Sequence, residues 1–205
     1  WHTLNGYWNG IHIDSEIARR FFKTLIFWRQ RNTIEEKDST VINCTFLSPE
    51  KSLLDIFYRE WHRYLKNEGF SFIKVDNQLV VEAMSRNNFP IWDGAKALHD
   101  ALNESAQLHF DGNLLNCMDM TNETFYRFGD NGLARGVEDF FPDETDESYD
   151  LRHGNAAAHV LQALSNAVWF SQMAISDYDM FQSHHPQAEL HALVRTFHNG
   201  PIYLT

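Results

Sequence analysis

The 205-residue chain is short of several things, and each shortage closes a class of function. It has two cysteines, Cys44 and Cys117, so at most one disulfide can form, and neither stands in the CxxC spacing of a zinc or redox site. There is no run of about eighteen consecutive apolar residues, so no membrane-spanning helix is expected. Cations are outnumbered, 17 Lys and Arg against 28 Asp and Glu, for a formal charge of −11. A phosphate backbone is bound by clustered cations that displace counterions, so nucleic acid is not an expected partner. None of the 11 histidines stands in HExxH, and His184, His185 and His191 fit no common ligand spacing, so neither a metal nor another cofactor is expected. The Gly-rich GxGxxG turn of a dinucleotide site is missing too. The chain opens at Trp1 with no initiator Met and no charged segment ahead of an apolar run, so no signal peptide is visible. That opening suggests an excised or partial chain, a fragment of something larger. Localisation and oligomeric state have no signature in the sequence.

What is present is enough apolar material, 43% of residues, to build one domain with a sizeable core over residues 1–205. Ser48-Pro49-Glu50 reads as a helix start, with serine at the cap and proline in the first turn. Leu53, Leu54, Phe57, Trp61, Tyr64 and Leu65 then recur at helical spacing until Gly69 supplies a stop. The strand-forming stretch FSFIKVD follows at once. The pattern repeats with a helix from Trp92 to His109, the short strand LLNCMD at 114–119, and the strand LARGVEDF at 133–140. A helix from Leu151 to Trp169 precedes MAISDYDMF, and a last helix, beginning near Pro186, ends before Gly200 and PIYLT. Strands alternate with helices, and no hairpin signal joins two strands directly. This is an α/β chain.

The informative feature is where carboxylates fall. Asp76, Asp119, Asp139, and Asp177 with Asp179 each close a separate predicted strand. The C-terminal end of the strands carries the active site in a (β/α)8 TIM barrel, so that fold is expected. Only about five strands can be counted, so the expectation is a partial barrel lacking its first strands.

In FIKVD, Lys74 and Asp76 are two apart and point to one side of the strand, with Val75 on the other. Such a pair is costly in a core unless it is a structural ion pair or in use, here as an ionised carboxylate poised to attack. In ARGVEDFFP, counting by two from Arg135 reaches Asp139, whereas Glu138 falls on the opposite face with Gly136. Two carboxylates on different strand ends suit glycoside hydrolysis, in which one attacks the anomeric carbon and the other handles the leaving-group proton. Aromatic residues at these ends, Trp1, Tyr7, Trp8 and Tyr178, are candidates for stacking on sugar faces. Asp177 and Asp179 are further candidate substrate contacts.

WHTLNGYWNG, GFSFIKVDNQ, NCMDM, ARGVEDFFP, DYDMFQSHHPQAELHA and GPIYLT, in that order, resemble the raffinose synthase and alkaline α-galactosidase (seed imbibition protein) branch of glycoside hydrolase family 36. The resemblance implies a (β/α)8 barrel acting with retention on terminal α-galactosyl groups of oligosaccharides, through a covalent galactosyl-enzyme intermediate. It implies that Asp76 is the nucleophile, Asp139 the acid/base, Lys74 and Arg135 substrate contacts, and Cys117 a residue of the galactose pocket. A retaining pair is held roughly 5–6 Å apart.

The leading expectation is an α-galactosidase. Its near alternative is a raffinose synthase-like galactosyltransferase, in which a sugar hydroxyl replaces water. Two readings of other classes stand beside them. One is an aldolase-like lyase forming a Schiff base at Lys74, against which Asp76 argues because a neighbouring carboxylate favours the ammonium over the attacking amine. The other is a sugar-binding relic without catalysis.

Overall fold

The computed structural model describes residues 2–3, 10–21, 25–31, 41–85, 89–129, 132–140 and 156–204, with side chains outside 2–3, 25–31 and 41–44. These residues form two compact units, residues 1–129 and 130–205. The first contains β1 (His2–Thr3), α1 (Glu16–Phe21), β2 (Leu25–Arg31), β3 (Val41–Leu47), α2 (Lys51–Asn67), β4 (Ile73–Asp76), α3 (Val81–Ser85), α4 (Ile91–Phe110) and β5 (Leu114–Asn116). The second contains β6 (Leu133–Arg135), α5 (Ala156–Phe170), β7 (Ile175–Asp177) and α6 (Ala188–Arg195).

Helix α2 starts at Lys51, two residues later than serine capping requires: Glu50 occupies the cap with extended φ and ψ, and Ser48 Oγ donates to the Glu50 carboxylate at 3.2 Å instead. The stop is as expected. Gly69 has φ 94°, its N–H donates to Lys66 O, and the Phe70 N–H donates to Leu65 O, the paired bonds of a Schellman ending that a left-handed glycine allows. Leu54, Phe57, Tyr58 and His62 form the buried stripe of this helix. They join Leu98, Leu102, Ala106 and Phe110 of α4 and Ile73, Val75 and Leu114 of the strands in one core. Each fully buried leucine contributes about 1.5–3 kcal/mol relative to leaving it in water.

In the first unit β4 lies between β1 and β5, all parallel, with Val75 opposite His2 and Ile73 opposite Leu114. In the second, β6 and β7 are parallel, with Leu133, Ala134 and Arg135 opposite Ile175, Ser176 and Asp177. Val160, Ala163, Tyr178 and Val194 pack there with Val137. Parallel strands with helices between them follow the expected α/β order.

Two expectations need correction. β2 and β3 pair antiparallel from Leu25 opposite Leu47 to Arg31 opposite Val41, an antiparallel pairing that the sequence reading did not anticipate. Residues 32–40 join them, and a connection of that length carries no two-residue turn signature. The strand expected at 133–140 ends at Arg135, because from Gly136 onward the backbone hydrogen-bonds to side chains rather than to a neighbouring strand.

Candidate active site

In the first unit β4 delivers Lys74 and Asp76. Ile73 and Val75 lie in the apolar core, so strand alternation sends Lys74 and Asp76 to the other face. Asp76 is buried and its Oδ1 accepts the Asn77 N–H at 2.7 Å. Asn77 turns the chain sharply with φ 57° and ψ 36°, a left-handed conformation that asparagine tolerates. Gln78 ties this turn to β5: its Nε2 donates to Val75 O at 3.0 Å and to Asn116 Oδ1 at 2.9 Å. Cys117 follows β5, buried, with its N–H on Val75 O at 3.0 Å. Lys74, Asp76 and Cys117 thus stand at the C-terminal ends of adjacent parallel strands. Asn77, which the sequence reading passed over, is also buried, and its amide has no hydrogen-bond partner among the described residues. Asp119, expected to close a strand over 114–119, lies three residues beyond the end of β5 at Asn116 and is buried with Oδ1 3.4 Å from His99 Nε2.

In the second unit Arg135 and Asp177 are register partners at the C-terminal ends of β6 and β7, so their side chains meet. Arg135 Nε donates to Asp177 Oδ2 at 2.6 Å, Nη2 to Asp179 Oδ1 at 2.7 Å, and Nη1 to Asp139 Oδ1 at 3.0 Å. The fork geometry of guanidinium makes one cation serve three carboxylates. The Tyr203 hydroxyl bridges Asp177 Oδ2 at 3.0 Å and Asp179 Oδ1 at 3.3 Å. Burial pushes its pKa far up, so it remains a neutral donor. Asp179 has φ 63°, and Arg195 Nη2 holds that bend by donating to the carbonyls of Tyr178, Asp179 and Met180 at 2.9, 3.0 and 2.9 Å.

Asp139 shares Arg135 as expected, though not through strand parity, because β6 has already ended. The contact spans four residues of irregular chain, and Asp139 keeps 68% of its side chain exposed while Arg135 keeps 4%. Glu138 is exposed, its N–H donating to Gln162 Oε1 at 2.7 Å. Asp177 and Asp179, candidates for sugar contact, are buried partners of Arg135. Tyr178 is buried with its ring stacked on His198 at 4.1 Å. Trp1, Tyr7 and Trp8 lie outside the described residues.

Besides Asn77, sequence reasoning missed Tyr203 and Arg195, which carry no periodic signal. It also missed His159, Gln162 and Asn166 of α5, whose spacing on one helix face was readable. His159 is buried, and burial lowers its pKa to about 4, so it is a neutral imidazole at neutral pH. His191, buried beside it with stacked rings 5.9 Å apart, is likewise lowered by burial to about 4.

Over residues 1–205 the chain matches the family model described as raffinose synthase or seed imbibition protein Sip1. It is 29% identical over 215 residues to the probable galactinol–sucrose galactosyltransferase 5 of Arabidopsis thaliana. It is 28% identical over 212 residues to the galactinol–sucrose galactosyltransferase of Pisum sativum, and 27% over 214 residues to the stachyose synthase of the same plant. Each match covers 100% of this chain and 27%, 26% and 24% of the relative, so the chain spans about a quarter of the length of these relatives. Among solved structures it is similar to TtGalA, an α-galactosidase of Thermus thermophilus in complex with stachyose, with TM-score 0.61 and 14% identity over 95% of this chain and 43% of that one. That likeness is one of fold, and it agrees with the parallel strands and intervening helices of each unit: the fold is of the (β/α)8 barrel type. With a family model matched from its first residue to its last, the chain belongs to the raffinose synthase and seed imbibition protein family.

Proposed function

We propose that the chain carries the catalytic carboxylates of a retaining enzyme acting on α-galactosides, with Asp76 as nucleophile and Asp139 as acid/base. In the first half-reaction a carboxylate oxygen of Asp76 attacks the anomeric carbon of the galactosyl group. The glycosidic C–O bond breaks, and Asp139 gives its proton to the departing oxygen. In the second, an acceptor hydroxyl attacks the same carbon, Asp139 takes the acceptor's proton, and Asp76 leaves as a carboxylate. Lys74, on the same strand face as Asp76, binds sugar hydroxyls, and Cys117 lines the galactose pocket.

One observation carries this reading. Of the carboxylates seen on Arg135 among the described residues, Asp177 and Asp179 are buried and Asp139 is 68% exposed, so of these Asp139 is the one both held by a fixed cation and open to a substrate. The arginine orients the carboxylate, and the exposure leaves it available for proton transfer.

The acceptor is the finer question. The relatives' names, galactinol–sucrose galactosyltransferase and stachyose synthase, favour a sugar hydroxyl over water. Feeding the full-length protein galactinol with and without sucrose separates the two. Transfer makes a trisaccharide only with sucrose present, whereas hydrolysis releases galactose in both. The nucleophile is tested by Asp76→Gly, which is expected to abolish turnover and to give a galactosyl azide product when azide is supplied. A variant that retains turnover contradicts the assignment.

A further inference from the structure

Four consecutive peptide planes run from Gly136 to Phe140, and a side chain holds each of them. The Gly136 carbonyl accepts from Asn166 Nδ2 at 2.7 Å, and the Glu138 N–H donates to Gln162 Oε1 at 2.7 Å. The Glu138 carbonyl accepts from His159 Nε2 at 3.1 Å, and the Phe140 N–H donates to Asp179 Oδ2 at 2.7 Å. Glu138 C=O and Phe140 N–H belong to the two planes that flank Asp139, so their orientation sets its φ and ψ. No strand ladder fixes this segment, which lies beyond the end of β6.

Three of the four holding side chains come from α5. Residues 159, 162 and 166 lie within roughly 60° of one another around a helix advancing about 100° per residue. The stripe is not a solvated face, since His159 is 3% exposed and buried polar groups persist where they are hydrogen-bonded. A carbonyl oxygen only accepts, so His159 carries its proton on Nε2.

We propose that His159, Gln162 and Asn166 are positioning residues, fixing the backbone at Asp139 so that its carboxyl meets the leaving-group oxygen. This rests on the reading of Asp139 as acid/base. Misplacement of a proton donor by about 1 Å costs on the order of 100-fold. The loss should appear only where the donor is needed.

The test compares methyl α-galactoside, whose leaving group requires protonation, with dinitrophenyl α-galactoside, whose leaving group does not, in the full-length protein. For His159→Phe, Gln162→Leu and Asn166→Leu, kcat on the methyl glycoside is expected to fall about 10- to 100-fold with KM within about two-fold, while intermediate formation from the dinitrophenyl glycoside stays within about two-fold. His159→Gln and Gln162→Glu, which restore a donor and an acceptor, are expected to recover most of the loss. Equal losses on both substrates, no loss, or no recovery in the conservative variants overturns the proposal. Should buried His159 not tolerate phenylalanine, the half-buried Gln162 and Asn166 decide the matter by the same criteria. Asp139→Ala is run alongside: if it shows no leaving-group dependence, the acid/base reading itself has failed, whereas if it does and the α5 variants do not, only the positioning role has.

Discussion

Arg135 Nη1 lies 3.0 Å from Asp139 Oδ1, joining a buried arginine to an exposed aspartate four residues on. An ion pair with one partner in water contributes at most about 1 kcal/mol to stability. Its effect is on where the Asp139 carboxylate points, and stability and activity should therefore separate at this residue.

Asp139→Ala is expected to melt within a degree or two of the parent and to lose most turnover of substrates with poor leaving groups. Glu138→Ala, whose structural contacts are through its backbone, should leave both nearly unchanged. If calorimetry and kinetics show the two substitutions exchanged, Glu138 is the acid/base.

Arg135→Met should behave differently, because Asp177 and Asp179 are buried and depend on that guanidinium. Removing one partner of a buried ion pair costs about 3–5 kcal/mol. Urea unfolding should register that loss, and a variant as stable as the parent would mean that Tyr203 and Arg195 compensate.

His159 and His191 both have pKa values near 4 in the folded chain, against an ordinary value of 6.5. Between those values the unfolded chain binds the protons and the folded chain does not, so falling pH favours unfolding. The histidines' contribution is expected to be flat above about pH 7 and to make stability decline as pH falls from about 6.5 to 4, with each histidine contributing no more than about 3–4 kcal/mol. Thermal unfolding across this range measures it, and His191→Leu should flatten the slope. A rise in stability on acidification contradicts it.

Gly136→Ala places a methyl 2.7 Å from Ser176 Oγ and 3.4 Å from the Phe170 ring. Overpacking of this kind costs about 1–3 kcal/mol. The Ser176 hydroxyl is buried with no hydrogen-bond partner among the described residues, so Ser176→Ala alone should be close to neutral and should rescue Gly136→Ala in the double variant. Additive losses in chemical denaturation would show that the Phe170 ring, and not the hydroxyl, is the obstacle.

The sequence made the α/β order legible because helical spacing and short apolar runs alternate along it, and because Gly69 closes α2 where a left-handed glycine was expected. Strand alternation correctly separated Lys74 and Asp76 from Val75. It failed for β6: a three-residue strand followed by side-chain-held backbone has no period to read, and the Arg135–Asp139 contact arises from the path of the chain beyond the strand. The antiparallel β2–β3 pair was hidden by the length of its connection, and Tyr203 by being a single residue far along the chain. The α5 stripe was readable in HVLQALSN, but polar residues at helical spacing look like an outer face until their backbone partners are seen.

The central claim is that Asp76 bears the sugar. Incubating the full-length protein with a fluorinated α-galactosyl donor that forms the glycosyl-enzyme but turns over slowly, then mapping the modified peptide by mass spectrometry, locates the bond directly. The expected result is one galactosyl adduct on Asp76. An adduct on Asp119, Asp139 or another carboxylate, or turnover of the donor with no adduct on Asp76, contradicts the account.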